Sequence, residues 1–547
     1  CSSDLRLSES MIKGSFSLFL INMNITLPNT VTPLASTLKS FMIKTHHAEN
    51  LNEPVIFDVF QIQILETIKQ LLEAAQTQDL KVFVAGDYDA DGICSTTMMV
   101  SLCKLLNLHV GYYIPHRINE GYGLKPKTVK QAIDKGYDLF ICVDNGVGAH
   151  EALKLLKENH KKVIIIDHHT ITQKIEVDAL LHPQYLDEVY HSMCTSGLVW
   201  LLAVYLHLDS DFMIQLAGSA TLADMMPLHH VNRFLVVKAI ESMNRVMITP
   251  LALLIKKQSV NEDDIGFQLI PKINAVGRMT DVANANTMVA YLSSDEITSM
   301  VKYAAKVEEV NAQRKTLTKS MSTTALNLIE DSQPFHFVVS ETFHEGIVGL
   351  IANQLLHSVK TNVFVGVKKE NTIKGSIRAF NVNLLNLFKP YEHLIMHFGG
   401  HAKAAGLEVH QDHFQTLKNH ILEDMKHLNV SLQEPQSVMI NPADITLDGV
   451  VEFESLRPFG MGWEKPIIKI EKVVIKTMTI LKAGMSKATV LSRGQTLDVF
   501  AFDPSFAQCK VGDWVDLEGT LGVNTYMGLK TVQLTLTLFK PCHETSY

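Results

Sequence analysis

The sequence predicts an α/β protein: a parallel sheet with helices on both faces, a long bridging helix, a second and smaller α/β unit, and a C-terminal β-barrel. Three observations predict it. Short apolar runs alternate with helical stretches from about residue 80 to 170, as in repeated β-α units. A segment without Pro or Gly runs from Ala283 to Glu330. Beyond residue 433 the pattern changes to short strands with Gly-bearing turns.

At 547 residues the chain is long enough for about three to four domains. Apolar content of 46% and charged content of 19% are those of an ordinary globular protein, and no stretch reads as a membrane span. A net charge of −8 does not advertise a nucleic-acid binder. A local basic groove can nevertheless sit on an acidic protein, and a metal-dependent nuclease devotes acids to its ions. The seven cysteines, at 1, 94, 103, 142, 194, 509 and 542, form no C-x-x-C pair and read as thiols of a reducing cytoplasm. Ser15–Leu27, preceded by Lys13, faintly resembles a signal peptide, but Asn22 and Asn24 interrupt its short apolar part and no A-x-A site follows. Cytoplasmic location is therefore expected, and residues 1–50 form an N-terminal segment of uncertain assignment.

The first domain is expected over residues 51–282. Ile56–Ala75 carries Ile62, Leu65, Ile68, Leu71 and Leu72 at helical spacing and should cover one face of the sheet. The strand Val82–Ala85 runs into three acids on alternate positions, Asp87, Asp89 and Asp91. Gly92 closes that loop, and Ile93–Leu106 reads as a helix. Strands over Val110–Pro115, Leu139–Val143 and Val163–Ile166 alternate with helices over Lys127–Lys135 and Ala149–Asn159. The last two strands end at Asp144-Asn145-Gly146 and Asp167-His168-His169. Helices over Ser196–His207 and Asp211–Met226 follow, and Asp224 is an isolated acid in the apolar ATLADMMPL. Residues 283–332 read as the bridging helix. The second unit, 333–432, has strands at 335–340, 362–367 and 373–380, helices at 345–359, Leu384–Phe388 and Phe414–Leu428, and a loop at 397–406. Residues 433–547 carry the strands PIIKIEKVVI, ATVLSR, LDVFAF, DWVDLEGTL and KTVQLTLTLF, which suit a small barrel of the oligonucleotide-binding (OB) type.

Ligands of parallel sheets bind beyond the carboxyl ends of the strands. All the acidic and histidine clusters fall there. Converging carboxylates repel one another, and a hard divalent cation neutralises them. D-x-D-x-D-G is also the start of an EF-hand calcium loop, but a strand precedes it here and Met98 occupies the twelfth position, where that loop needs Glu. A solvated acidic turn is the blander reading. The candidate site collects Asp87, Asp89, Asp91, Asp144, His168, His169 and Asp224. Such a set can hold two ions with one carboxylate bridging, and its Asp/His mixture fits Mn²⁺ well and Mg²⁺ acceptably. Two ions about 3.5–4 Å apart suit hydrolysis of a phosphate ester or anhydride. A His pair at a strand end can simply cap a turn. Beside Asp144 it is expected to bind metal.

GDYDADG, IPHR followed by EGYGL, VDNG and DHH, in this order and on these elements, resemble the DHH phosphoesterase superfamily. PKINAVGRM (271–279), GIVGLIANQLL (346–356), KGSIRAF (374–380) and FGGHAKAAG (398–406) resemble one branch, the RecJ single-strand-specific exonucleases. Lys272 stands where that family usually has Arg, and in PFGMGWEKP (458–466) Trp463 replaces a small polar residue. On this resemblance the two α/β units are the DHH domain and the DHH-associated domain. It implies that Asp87, Asp89, Asp91, Asp144, His168 and Asp224 are the metal ligands. His169, with Asp167, would assist catalysis at the scissile phosphate. Arg278, Ser376, Arg378 and Arg117 would hold the 5′ end or adjacent phosphates, and His401 would reach in from the second domain. Arginine forks suit phosphate, although Arg278 and Arg378 have simple ion pairs as their alternative.

The implied activity is a 5′→3′ exonuclease that degrades single-stranded DNA to mononucleotides with two Mn²⁺ or Mg²⁺ ions, in DNA repair and recombination. The implied partner is single-stranded DNA, with a single-strand-binding protein and a helicase as candidate protein partners, no membrane, and a monomeric state. A DHH phosphodiesterase acting on short oligoribonucleotides or cyclic dinucleotides is a rival that usually lacks the barrel. A non-catalytic strand-binding scaffold would show eroded ligands, and here they are intact. A DHH pyrophosphatase would lack the GSIR and GGHA motifs.

Overall fold

The computed structural model describes residues 21–23, 27–48, 55–330, 333–428, 436–492 and 494–542. The Ser15–Leu27 stretch lies largely outside the described residues. The first domain is built on a five-stranded parallel sheet in the order His109–Tyr113, Lys81–Ala85, Leu139–Val143, Lys162–Ile166, Ala179–Leu181. Its continuous apolar runs are those of strands covered on both faces. Alternate side chains part accordingly. Val82, Val84, Ile141, Val143, Ile164 and Ile166 enter one core, and Phe83, Phe140, Cys142, Val163 and Ile165 the other. The chain order reverses beside Lys81–Ala85, which has a later strand on either side. That reversal opens a crevice at the carboxyl ends of the strands.

Several expected boundaries move for local reasons. The helix expected over Ile56–Ala75 begins at Gln63, after the short strand Val55–Phe57 and a turn, Val59–Gln61, capped by Asp58. The helix expected from Ile93 starts at Ala90, because Asp89 is its N-cap and accepts the Gly92 N–H at 3.0 Å. Asp91 and Gly92 therefore lie in its first turn. The helix expected over Asp211–Met226 ends at Ala223, with Asp224 as its C-cap. The bridging segment is two helices, Ala285–Leu292 and Ile297–Leu326. The break falls where Ser294 Oγ accepts the Glu296 N–H at 3.1 Å, a side-chain turn that competes with helix. The strand Ala179–Leu181 was too short to signal itself.

The second unit has the sheet order Ile395–Gly400, Ala404–His410, Thr372–Arg378, Asn362–Lys369, Phe335–Ser340, with only the last pair parallel. The 397–406 stretch, expected as a loop, is instead the hairpin formed by its first two strands. The C-terminal strands Ile467–Ile480, Ser486–Ser492, Gln495–Ala501, Leu529–Cys542 and Trp514–Tyr526 close into a barrel, because the first and last also pair. Residues Pro33–Thr45, within the unassigned N-terminal segment, form a helix. Its apolar face, Leu34, Ala35, Leu38 and Met42, shares one core with the barrel and with Leu228 and Val236 of the first domain. Glu452 ties the start of this helix by accepting from Val31 N, Thr32 N and Thr32 Oγ1. Among the described residues the cysteines are free, and no helix is long and apolar enough to cross a membrane.

Candidate active site

Asp87 stands just past one strand and Asp144 just past its neighbour, so their carboxylates meet in the crevice. Asp144 adopts a left-handed backbone, φ 59°, which aims its side chain inward at the strand end. Three overlapping groups of ligand atoms lie within 4.8 Å of one another: Asp87 with Asp89 and Asp144, Asp91 with His168 and Asp224, and Asp144 with His168 and His169. His168 Nε2 sits 3.4 Å from Asp144 Oδ1 and 3.3 Å from Asp224 Oδ2.

The electrostatics fit a divalent cation. Burial and neighbouring acids push the carboxyls of Asp87 and Asp144 far above the usual range, and that of Asp224 up to about 8. Asp87 Oδ1 and Asp224 Oδ2 are buried without a hydrogen-bond donor. Burial holds the His168 imidazole below its ordinary value, which leaves it neutral with a lone pair to give. Oxygen-rich ligation with one imidazole suits Mg²⁺ or Mn²⁺.

Asp91 has a second duty. Its two oxygens accept the N–H groups of Thr195 and Ser196 at 2.8 and 2.9 Å, so it anchors the start of helix Thr195–Tyr205. Asp167, expected as catalytic, is placed behind the site. It is fully buried and accepts from Val147 N, His168 N, His169 N and, at 2.8 Å, His169 Nδ1. It therefore positions His169 rather than facing the cluster. Burial alone would lower the His169 imidazole, but the bond and charge of Asp167 override it and raise the ring to about 9. Nε2 of that ring lies 3.5 Å from the Tyr122 hydroxyl.

Sequence reading left Tyr122 without a role. It lies in EGYGL, between Gly121 and Gly123, both with positive φ. Its hydroxyl donates to the Asp144 carbonyl at 2.8 Å and lies 3.0 Å from His169 Nδ1. Asn274 of PKINAVGRM was also missed as an individual. Its Oδ1 accepts the Ala90 N–H at 2.9 Å and holds the acidic loop. The same helix approaches the loop so closely that a Cβ on Gly277 would lie 1.8 Å from the Tyr88 carbonyl oxygen. Gly277→Ala is expected to destabilise the first domain by about 1–3 kcal/mol, read as a lower thermal midpoint and reduced soluble yield.

A cationic group flanks the acids. Arg117 lies over the Tyr88 ring at 4.6 Å. Arg278 is close enough to Arg117, Arg314 and Arg378 that burial and these like charges lower its guanidinium to about 9, against the pull of Asp89. Arg378 donates to Ser376 Oγ at 2.6 Å. Among the described residues none of these four arginines pairs with a carboxylate, and Arg278 has no protein hydrogen-bond partner. Arg314 on the bridging helix was missed, since a lone Arg on a polar helix carries no signal. Arg278 comes from the first domain and Arg378 from the second. Their domains touch where the turn at Gly346 packs on the Arg278 carbonyl. His401 is not brought into this group. It occupies an exposed hairpin turn and, among the described residues, is bonded only to Ala404, through the backbone.

Comparison with known families matches residues 81–226 to the DHH family N-terminal domain, 332–427 to the DHHA1 domain and 437–537 to the RecJ OB domain. With these three domains in this order, the chain is similar to the RecJ branch of the DHH family. RecJ relatives named single-stranded-DNA-specific exonuclease span most of it. The Bacillus subtilis protein is 28% identical over 88% of this chain, and the chain spans 64% of that protein's length. The Escherichia coli protein is 27% identical, covering 87% of this chain and 90% of that one. The Thermus thermophilus RecJ structure in complex with Mn²⁺ shares the fold, with a TM-score of 0.80 at 23% identity over 94% of this chain and 76% of that one. A structure of exonuclease RecJ bound to manganese is 27% identical, with a TM-score of 0.60 over 69% of this chain and 98% of that one.

Proposed function

We propose that this RecJ-family chain is a metal-dependent 5′→3′ exonuclease that degrades single-stranded DNA to mononucleotides, in DNA repair and recombination. The observation that carries the reading is the pairing in one cleft of an acid and histidine cluster with arginines that lack counter-anions. Asp87, Asp89, Asp91, Asp144, His168 and Asp224 would hold two Mn²⁺ or Mg²⁺ ions. Ions held by these residues would supply activation of the attacking oxygen and stabilisation of the charge of in-line displacement. His169, aimed by Asp167, offers Nε2–H to the scissile phosphate. Arg278 and Arg378, with Ser376, Arg117 and Arg314, seat the terminal 5′ phosphate. Water oxygen bonds to phosphorus, the P–O3′ bond breaks, and O3′ takes a proton. The products are a 5′ mononucleotide and a strand with a new 5′ phosphate. The barrel grips the rest of the strand by phosphate contact and stacking.

The test uses internally labelled single-stranded DNA, with a 5′ phosphate or a blocked 5′ end, in Mn²⁺. Expected is mononucleotide release that the block stops and that Arg378→Gln slows by about 10–100-fold on the phosphorylated strand. Release from the blocked strand at an equal rate would overturn the polarity. Cleavage of short RNA alone would favour the oligoribonucleotide reading, and binding without cleavage the scaffold.

A further inference from the structure

The PFGMGW sequence that leads into the barrel takes no part in the chemistry above, yet it lies against the segment that carries Asp224. We infer that the Pro458–Trp463 loop is a positioning element of the metal centre, holding Asp224 in place through its backbone. The inference rests on the reading of Asp224 as a ligand.

Asp224 ends its helix, and Met225 turns the chain with φ 53°. The next helix begins at His230. Between them the segment is gripped by the loop. Leu228 N donates to the Met461 carbonyl at 2.8 Å, and His229 Nε2 donates to the Gly462 carbonyl at 2.7 Å. Both contacts fall within five residues of Asp224. The approach needs the loop's glycines. A Cβ on Gly460 would lie 2.8 Å from Leu228 Cδ1, and one on Gly462 3.0 Å from His229 Nε2, where φ is also +70°.

The loop is itself held rigid from behind. Arg233 donates to the carbonyls of Leu456, Arg457 and Pro458 at 2.8, 3.0 and 2.9 Å. Trp463 is fully buried, and its Nε1 donates to the Leu456 carbonyl at 3.1 Å. Glu262 accepts the Phe459 N–H at 2.8 Å. The buried indole of Trp463 is thus a wedge that fixes the loop. The need for such a brace is electrostatic. Asp224 converges with Asp91 and His168, and while Asp224, Met225 and Met226 bond back to their own helix through their N–H groups, the chain beyond them, at Leu228 and His229, is bonded to the loop. Groups that orient metal ligands from behind typically change metal affinity by about 10–100-fold when removed.

The experiment measures Mn²⁺ binding to the full chain by the electron paramagnetic resonance of free Mn²⁺, with no substrate present. Asp224→Asn sets the scale for loss of a ligand. Gly462→Ala and His229→Phe are expected to weaken one of the Mn²⁺ ions by about 10–100-fold. His229→Gln, whose amide N–H can reach the same carbonyl, should bind close to wild type. Gly512→Ala imposes comparable backbone strain, φ +97°, in open space, and should leave binding unchanged. Wild-type Mn²⁺ affinity in both Gly462→Ala and His229→Phe, with Asp224→Asn impaired, would overturn the inference alone. Undiminished binding in Asp224→Asn would instead overturn the ligand reading beneath it. If Gly462→Ala does not fold, the comparison of His229→Phe with His229→Gln decides.

Discussion

Asp144→Asn is expected to reduce metal-dependent degradation of a 5′-phosphorylated strand by on the order of 10³-fold or more in kcat/KM, about 4 kcal/mol of transition-state stabilisation. Asp144 belongs to two of the three donor groups, more than any other carboxylate, so its loss touches both of those ion positions. The substitution is otherwise mild. Asn tolerates the left-handed backbone at φ 59° better than most residues, and its amide oxygen can keep the 3.2 Å bond from Thr195 Oγ1. A lost rate with an unchanged circular dichroism spectrum is therefore the expected pair of results. Activity within about tenfold of wild type would mean that this carboxylate is not the shared ligand.

The same cluster makes metal-free stability fall as pH rises. Asp224 has a folded value near 8, and Asp87 and Asp144 are also raised, whereas unfolded aspartate titrates near 3.9. Between those limits the folded state holds more protons than the unfolded one, so unfolding free energy declines with pH. The stability is fully present below about pH 4 and is lost as pH passes through about 8. Mn²⁺ replaces the protons and should reverse the trend. Calorimetry of the chelated protein should show the first domain's midpoint falling from pH 5 to pH 8, with a Mn²⁺-induced rise that grows over the same interval. Asp144→Asn removes one repelling charge and should raise the chelated midpoint at pH 8 by about 3–6 °C while shrinking the response to Mn²⁺. A flat profile would mean that the cluster is well solvated.

Much of this site was legible in the sequence because its residues sit at fixed offsets from strand ends. Val82–Ala85 and Leu139–Val143 announce themselves as buried runs, and Asp87 and Asp144 follow within two residues. What separates Asp87 and Asp89 from Asp91 was not legible. It depends on where the helix starts, and Asp89 moves that start to Ala90 by capping it. Asp167 reads as part of a catalytic DHH triplet, but a strand-end acid can point either forward or back, and four backbone and ring donors draw it back. Arg314 and the grip of the 458–463 loop on Leu228 and His229 depend on tertiary contacts between distant segments. Sequence periodicity has no access to such contacts.

The helix Pro33–Thr45 has a consequence for biosynthesis. Its apolar face packs in one core with Leu228 and Val236 of the first domain, but also with the barrel and beside the helix Leu447–Glu454, so most of its partners leave the ribosome roughly 400 residues later. At about 5–20 residues per second, the wait lasts about 20–80 s. During it Leu34, Leu38 and Met42 lack the barrel that completes their core, while the parallel sheet is already able to close. The nascent chain thus carries an incompletely covered amphipathic helix ahead of an otherwise foldable domain. This core is completed only when the barrel returns to meet the helix Pro33–Thr45.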